Sequence, residues 1–219
     1  MKSTLVWDWP VRISHWLMVF LFTGLIITGK SDADYIQYHF YMGYCLSAVI
    51  IARVLYGFYG SYYARFRQFV KGPKVAFRFA MSLLSGRPKK YLGHNPVGAL
   101  MVLVLLLALS IQWGTGLFTS DDIFWFGPFY SFISEDWASE LASIHRFLPN
   151  VLLGLVAIHV LAVLYHELCL KERLIEAMIH GRKKDPASGS IIVKTPRWGL
   201  VFSLLMGLAW VAALFMMPT

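Results

Sequence analysis

Five membrane-spanning helices in an all-α membrane protein are what this sequence predicts, and three observations carry the prediction. The 219-residue chain is 58% hydrophobic and 16% aromatic with 15% charged residues, too apolar for a soluble domain. Five windows are long enough to cross a hydrocarbon core, which takes about 20 apolar residues: roughly 12–29, 39–58, 97–118, 145–169 and 198–217. The basic residues gather in two of the segments between those windows.

The first window holds Arg12 and His15 near its start and ends in Thr28-Gly29-Lys30, a poor cleavage site, so it reads as a retained span rather than a signal peptide. The second opens at His39 and carries Arg53, the one cation deep inside a span. Arg65, Arg67, Lys71, Lys74, Arg78, Arg87, Lys89 and Lys90 follow it. Within that segment, residues 71–85 set Val75, Phe79 and Leu83 on one stripe beside Lys74, Arg78 and Ser82, the pattern of a helix lying on the bilayer surface. After the third window comes an acidic and aromatic loop with Asp121, Asp122, Phe124, Glu135, Asp136 and Glu140. The fourth holds His145, His159 and His166, and Lys171, Arg173, Arg182, Lys183 and Lys184 succeed it. A polar linker with Pro186, Ser188, Gly189 and Ser190 then leads to the fifth, so the chain divides into a unit over 1–184 and a linker with an extra helix over 185–219.

Basic segments stay in the cytoplasm, which predicts a cytoplasmic amino terminus and a periplasmic carboxyl terminus. The net charge of +8 then faces anionic headgroups of membrane lipid, and nucleic acid is not needed to explain it. Cys45 and Cys169 fall on opposite sides of the membrane, too far apart for a disulfide. There is no C-x-x-C-H, Walker loop, dinucleotide fingerprint or H-E-x-x-H.

Ionisable groups inside a membrane mark function, and here the histidines are spaced. His145 and His159 are fourteen residues apart, about four turns, so both leave one helix face about 21 Å apart along the axis. His39 opens its span at the depth of His145, and His15 lies about 21 Å below the outer end of its own, level with His159. Two imidazoles on each of two irons fill both axial positions, an arrangement for passing electrons. His166 shares the face of His159 but lies deeper, at the cytoplasmic boundary; His94 and His180 read as solvated, with His94 also within reach of a quinone headgroup. Arg53 follows His39 by fourteen residues and shares its face, where haem propionates would pair it; snorkelling to the headgroups is the other reading. Gly43 and Gly57 lie on the same stripe, where a flat macrocycle or a neighbouring helix needs the room.

The opening V-W-D-W-P-V-R-I-S-H-W, R-V-L-Y-G-F at 53–58, Y-L-G-H-N-P at 91–96 and the fourth helix running from S-I-H-R through A-I-H-V to L-Y-H resemble the bacterial cytochrome b-561 family, which includes the b-type cytochrome subunits of nickel-iron hydrogenases. The resemblance covers residues 5 to about 184 and implies a four-helix transmembrane bundle with two bis-histidine haem b groups. The ligands would be His15, His39, His145 and His159, the four that depth also selects; beside them Arg53 and Gly43, on the inward stripe of the second span, and Arg12, near the start of the first, are expected near the cofactor. It implies electron transfer in the bacterial inner membrane between quinone or quinol and a redox partner, either cytochrome c or another oxidoreductase subunit. No catalytic side chain is implied. The alternatives are a superoxide:quinone oxidoreductase acting alone and a histidine-lined metal or proton transporter. The fifth helix departs from the family pattern and would either dock a partner or pack against the bundle.

Overall fold

A computed structural model describes residues 2–31, 35–86, 88–121, 125–185 and 193–217. Arg87, Asp122, Phe124 and the linker residues Pro186, Ser188, Gly189 and Ser190 lie outside the described residues.

Among the described residues five helices are long and apolar enough to span: α1 (Trp9–Thr28), α2 (Ile36–Tyr59), α5 (Pro96–Gly116), α6 (Glu135–Leu168) and α8 (Arg197–Met216). Three short helices lie between them, α3 (Phe66–Phe69), α4 (Pro73–Leu84) and α7 (Leu174–His180). Large apolar side chains such as Phe20, Leu107, Leu161 and Leu205 point away from the protein, as lipid-facing residues do. Proline at the first turn suits the starts of α1, α4 and α5, where a missing N–H costs no hydrogen bond.

Helix α6 starts ten residues before the predicted window and is 34 residues long. Its first turns follow the chemistry of a helix start rather than that of a span: Glu135 and Asp136 in the first turn complement the helix dipole. The acidic loop is therefore partly helix. The described residues from Trp125 to Phe132 fold over the end of the bundle, with Trp125 tilted against Phe40 and Phe129 packed against Phe118 and Trp210. Helix α4 runs as its periodicity predicts, but it turns Ala76 and Phe79 into the protein, Phe79 against Tyr91, and leaves Val75, Phe77 and Met81 exposed.

The opposite, basic end is closed by a small sheet that no local pattern in the sequence announces. Strand β1 (Lys2–Leu5) pairs antiparallel with β2 (Arg182–Asp185), Leu5 opposite Arg182. Gly181 leads into β2 with φ +80°, and a Cβ there would press on the Trp7 carbonyl. Its own carbonyl accepts from the Val6 and Trp7 amides. Only glycine serves at this crossing.

Helix α8 packs along α2. Gly199, Ser203 and Gly207, four apart on one face, are buried, and a Cβ at Gly207 would stand 2.8 Å from the Ala48 carbonyl oxygen. This is a small-residue seam of the kind that draws membrane helices together. Trp210 Nε1 donates to Ser47 Oγ at 2.8 Å, adding a polar tie. Of the two uses expected for the fifth helix, packing is the one its seam serves.

Candidate functional site

At the acidic end, His39 and His145 face one another with ring centroids 6.2 Å apart and planes at 85°. A metal–imidazole bond is about 2 Å long, so two axial imidazoles on one iron sit about 6 Å centre to centre. The ring spacing therefore fits an iron between them.

Each ring is held by the end of the preceding span. On α1, Thr28 returns its hydroxyl to the Gly24 carbonyl at 2.8 Å and accepts from His39 Nδ1 at 3.2 Å. On α5, Thr115 returns its hydroxyl to Ile111 and stands 3.3 Å from His145 Nδ1. Both threonines are followed by glycine, and a Cβ at Gly29 or Gly116 would lie 2.9 or 2.7 Å from the Cε1 of the facing ring. The Nδ1–H is thereby spent on acceptors, which leaves Nε2 as the lone-pair nitrogen on both rings, that of His145 lying 3.3 Å from Gln112 Nε2.

Gln112 completes the His145 side. Pro149 has no N–H, so the His145 carbonyl four residues earlier loses its helical partner. Gln112 Nε2 donates to that carbonyl at 3.1 Å, while His145 Nδ1 donates to the Gln112 carbonyl at 2.9 Å. The exchange locks ring and backbone to α5.

Toward the basic end, His15 and His159 lie within electrostatic range of one another, and Arg53 acts on His15 as well. Here polar atoms lack partners: His15 Nδ1, Arg53 Nη1, Arg12 Nε, Arg65 Nε and His94 Nδ1 are all buried with no hydrogen bond among the described residues. Arg53 is buried, its Cζ 6.0 Å from the centre of the Phe66 ring, and does not snorkel to the surface. Asp8 is the acid nearby; it accepts from the Tyr56 hydroxyl and, at 3.2 Å, from Thr195. Unpaired buried cationic donors are costly, and carboxylate groups such as haem propionates are what they suit.

Several expectations change. His94 is not solvated: it lies between Trp7 and Phe69, each ring centroid 4.5 Å away. Burial, aided by the charges of Arg53 and Lys183, pushes it down to about 3, so it is neutral at ordinary pH. Its neighbours come from distant segments, which is why a basic stretch of sequence concealed a buried ring. Arg12 sends Nη1 to the Ile179 carbonyl and ties α1 to α7, and its buried Nε has no hydrogen bond among the described residues. Gly57 meets the Phe66 ring, so its missing side chain makes room for an aromatic group. Around Gly43 a Cβ would meet only Leu25, at 4.0 Å. His180 is exposed, as expected.

His166 is buried with both nitrogens engaged, Nδ1 with Glu172 at 2.9 Å and Nε2 beside Asn95 Nδ2 at 3.4 Å. Among the described residues no group of three or more His, Cys, Asp or Glu gathers to hold a bare metal ion.

Residues 6–181 match the family model described as prokaryotic cytochrome b561, and the chain belongs to that family. Three curated relatives are similar over most of their length. A probable Ni/Fe-hydrogenase B-type cytochrome subunit of Rhizobium leguminosarum bv. viciae is 26% identical over 83% of this chain and 89% of its own. The proteins so named in Escherichia coli K12 (a Ni/Fe-hydrogenase 1 subunit) and Rhodobacter capsulatus are each 24% identical, over 82% and 83% of this chain and 90% and 81% of theirs. No solved structure matches. The family match ends before α8, and the family is one of membrane cytochromes that carry haem b.

Proposed function

We propose that this b561-family chain carries electrons across the bacterial inner membrane through two haem b groups, one held by His39 and His145 and the other by His15 and His159. The reading links quinone or quinol to a redox partner, for which an oxidoreductase subunit is favoured by the hydrogenase naming of the relatives. The observation that carries it is the facing pair His39 and His145, at the spacing of axial ligands with their Nδ1 atoms already engaged.

When bound, haem b supplies a one-electron couple that needs no open coordination position. The protein's part is to position and insulate. His39 and His145 present Nε2 from helices whose facing ends hold the opposite ring edges. His15 and His159 would hold the second group deeper in the bundle, where Arg53, Arg65, His94 and Arg12 Nε offer donors for propionates. His159 is preferred to His166 because both nitrogens of His166 are committed to Glu172 and Asn95. The basic residues of the α2–α5 connection and of α7–β2 support a cytoplasmic placement of that end, with the amino terminus inside and the carboxyl terminus in the periplasm.

A reduced-minus-oxidised spectrum with haem quantification tests the reading. The wild-type protein should hold two haems, and each of His15→Ala, His39→Ala, His145→Ala and His159→Ala should lose one. His166→Ala should keep both. A colourless wild-type protein, purified after haem-supplemented expression, would overturn the proposal.

A further inference from the structure

One construction occurs twice at the acidic end. On α1 the residues Leu25, Thr28 and Gly29, and on α5 the residues Gln112, Thr115 and Gly116, stand at i, i+3 and i+4 on one helix face. In each, the i carbonyl faces a histidine of the next spanning helix, the threonine hydroxyl touches the same Nδ1, and the glycine underlies the ring edge. Thr28 and Thr115 are both buried, and each hydroxyl also reaches back into its own helix. By contrast the Nδ1 of His15, in the other pair, has no partner among the described residues.

We infer that these two Thr-Gly seats are positioning elements that fix the proton tautomer and ring plane of His39 and His145 and thereby hold the reduction potential of the haem between them below the value bare imidazoles would give. The inference rests on the ligand assignment proposed above. An Nδ1–H that donates to an oxygen acceptor leaves more electron density on Nε2, which favours ferric over ferrous iron. The glycines act on orientation. With no Cβ at 29 or 116, each ring lies against the helix end, and the two planes stand at 85°. If a haem iron were held between rings set at this angle, its dxz and dyz orbitals would be nearly degenerate, and the ferric form would give a strongly anisotropic low-spin EPR signal.

The test uses the full-length protein with both haems bound and reads each haem's midpoint potential and EPR spectrum, with His39→Ala identifying which signals belong to this pair. Thr28→Val and Thr115→Val should raise the potential of that haem and leave the other unchanged, and Thr28→Ser and Thr115→Ser should restore it. Gly29→Ala and Gly116→Ala should move its largest g value or, at the extreme, release that haem alone, the retained inner haem showing that the bundle has folded. Thr23→Val serves as control, because Thr23 bonds back to Val19 on the exposed side of α1 and touches no histidine. Unchanged potentials and EPR signals in all the Thr→Val and Gly→Ala variants, with two haems bound, would overturn the inference. Retention of both haems in His39→Ala and His145→Ala would instead overturn the ligand assignment beneath it.

Discussion

The two histidine pairs are built on opposite plans. At the acidic end the rings of His39 and His145 are set by neutral groups, namely hydroxyls, carbonyls and the bare backbone of two glycines, with Gln112 Oε1 a neutral acceptor left over. At the basic end His15 and His159 are surrounded by buried cationic donors without partners, and a neutral ring, His94, is wedged between Trp7 and Phe69. The first pair is shaped before anything binds. The second holds polar atoms whose desolvation is unrepaid by the protein itself, so an anionic group that pairs them would stabilise the fold as well as its own site. The difference suggests that an acidic-end site can be read from protein geometry, whereas a basic-end site must be read from what the protein leaves unpaired.

The sharpest way to break this comparison is Arg53→Leu. If Arg53 pairs propionates, the substitution removes the deepest cation and should cut occupancy of the haem at His15 and His159 by tenfold or more, while the pair at His39 and His145 keeps its haem; such charge-assisted bonds are worth about 1.5–3 kcal/mol each. Haem quantification with separate potentials for the two centres checks it. Equal loss of both would mean that Arg53 serves the whole bundle.

A smaller and unselective effect is expected from Gly207→Leu. The new side chain would strike the Ala48 and Ala52 region of α2, and overpacking of this kind costs about 1–3 kcal/mol. Both haems should then be lost together as thermal stability in detergent falls, because α8 leans on α2 and on neither histidine pair alone. Loss of one haem before the other would show α8 to be part of that site.

Much of this architecture was legible in the sequence, for physical reasons that also mark where legibility stopped. The five spans follow from hydropathy alone, and the match in depth of the histidines follows from helical rise. Hydropathy failed at Glu135, because the first turns of α6 are polar; the signal there was Ser134 before two acidic residues, a helix start written in charge. The β1–β2 pairing joins residues about 180 positions apart, and no local pattern announces it. The burial of His94 likewise depends on Trp7 and Phe69, remote in sequence. The Thr-Gly seats were readable. Thr28-Gly29 and Thr115-Gly116 each end a span that precedes a histidine-bearing one, and Gln112 is a lone amide in an apolar helix, with Pro149 four residues after His145.

Gln112→Leu sharpens the acidic-end half of the comparison. It strands the His145 carbonyl, which Pro149 has already deprived of a helical partner, and leaving a buried acceptor unsatisfied costs about 1–3 kcal/mol. If His39 and His145 hold a haem as proposed, that haem should bind more weakly, with no change at the other proposed centre, as measured by haem release on mild heating. The proline controls the outcome: Pro149→Ala restores an N–H at the right place and should recover most of the loss in the double variant.

The smallest effect concerns how the basic end is held when pH falls. Burial works against ionisation of Glu172, but the His166 hydrogen bond and the charges of Lys183 and Lys90 outweigh it and hold the carboxyl below its ordinary value. Lys183 is itself pushed down by burial, with Glu172 pulling the other way. A carboxylate depressed in the folded state contributes stability above its ordinary value and loses it as pH falls through the depressed one. Wild-type protein should therefore lose thermal stability on acidification from neutral pH more steeply than Glu172→Gln, which forfeits about 1 kcal/mol at neutral pH and little more below. The haem at His39 and His145 should be indifferent to the substitution, since Glu172 acts at the other end of α6. Parallel acid limbs for the two proteins would show that the Asn95–His166–Glu172 chain fixes the geometry of the basic end without contributing charge to its stability.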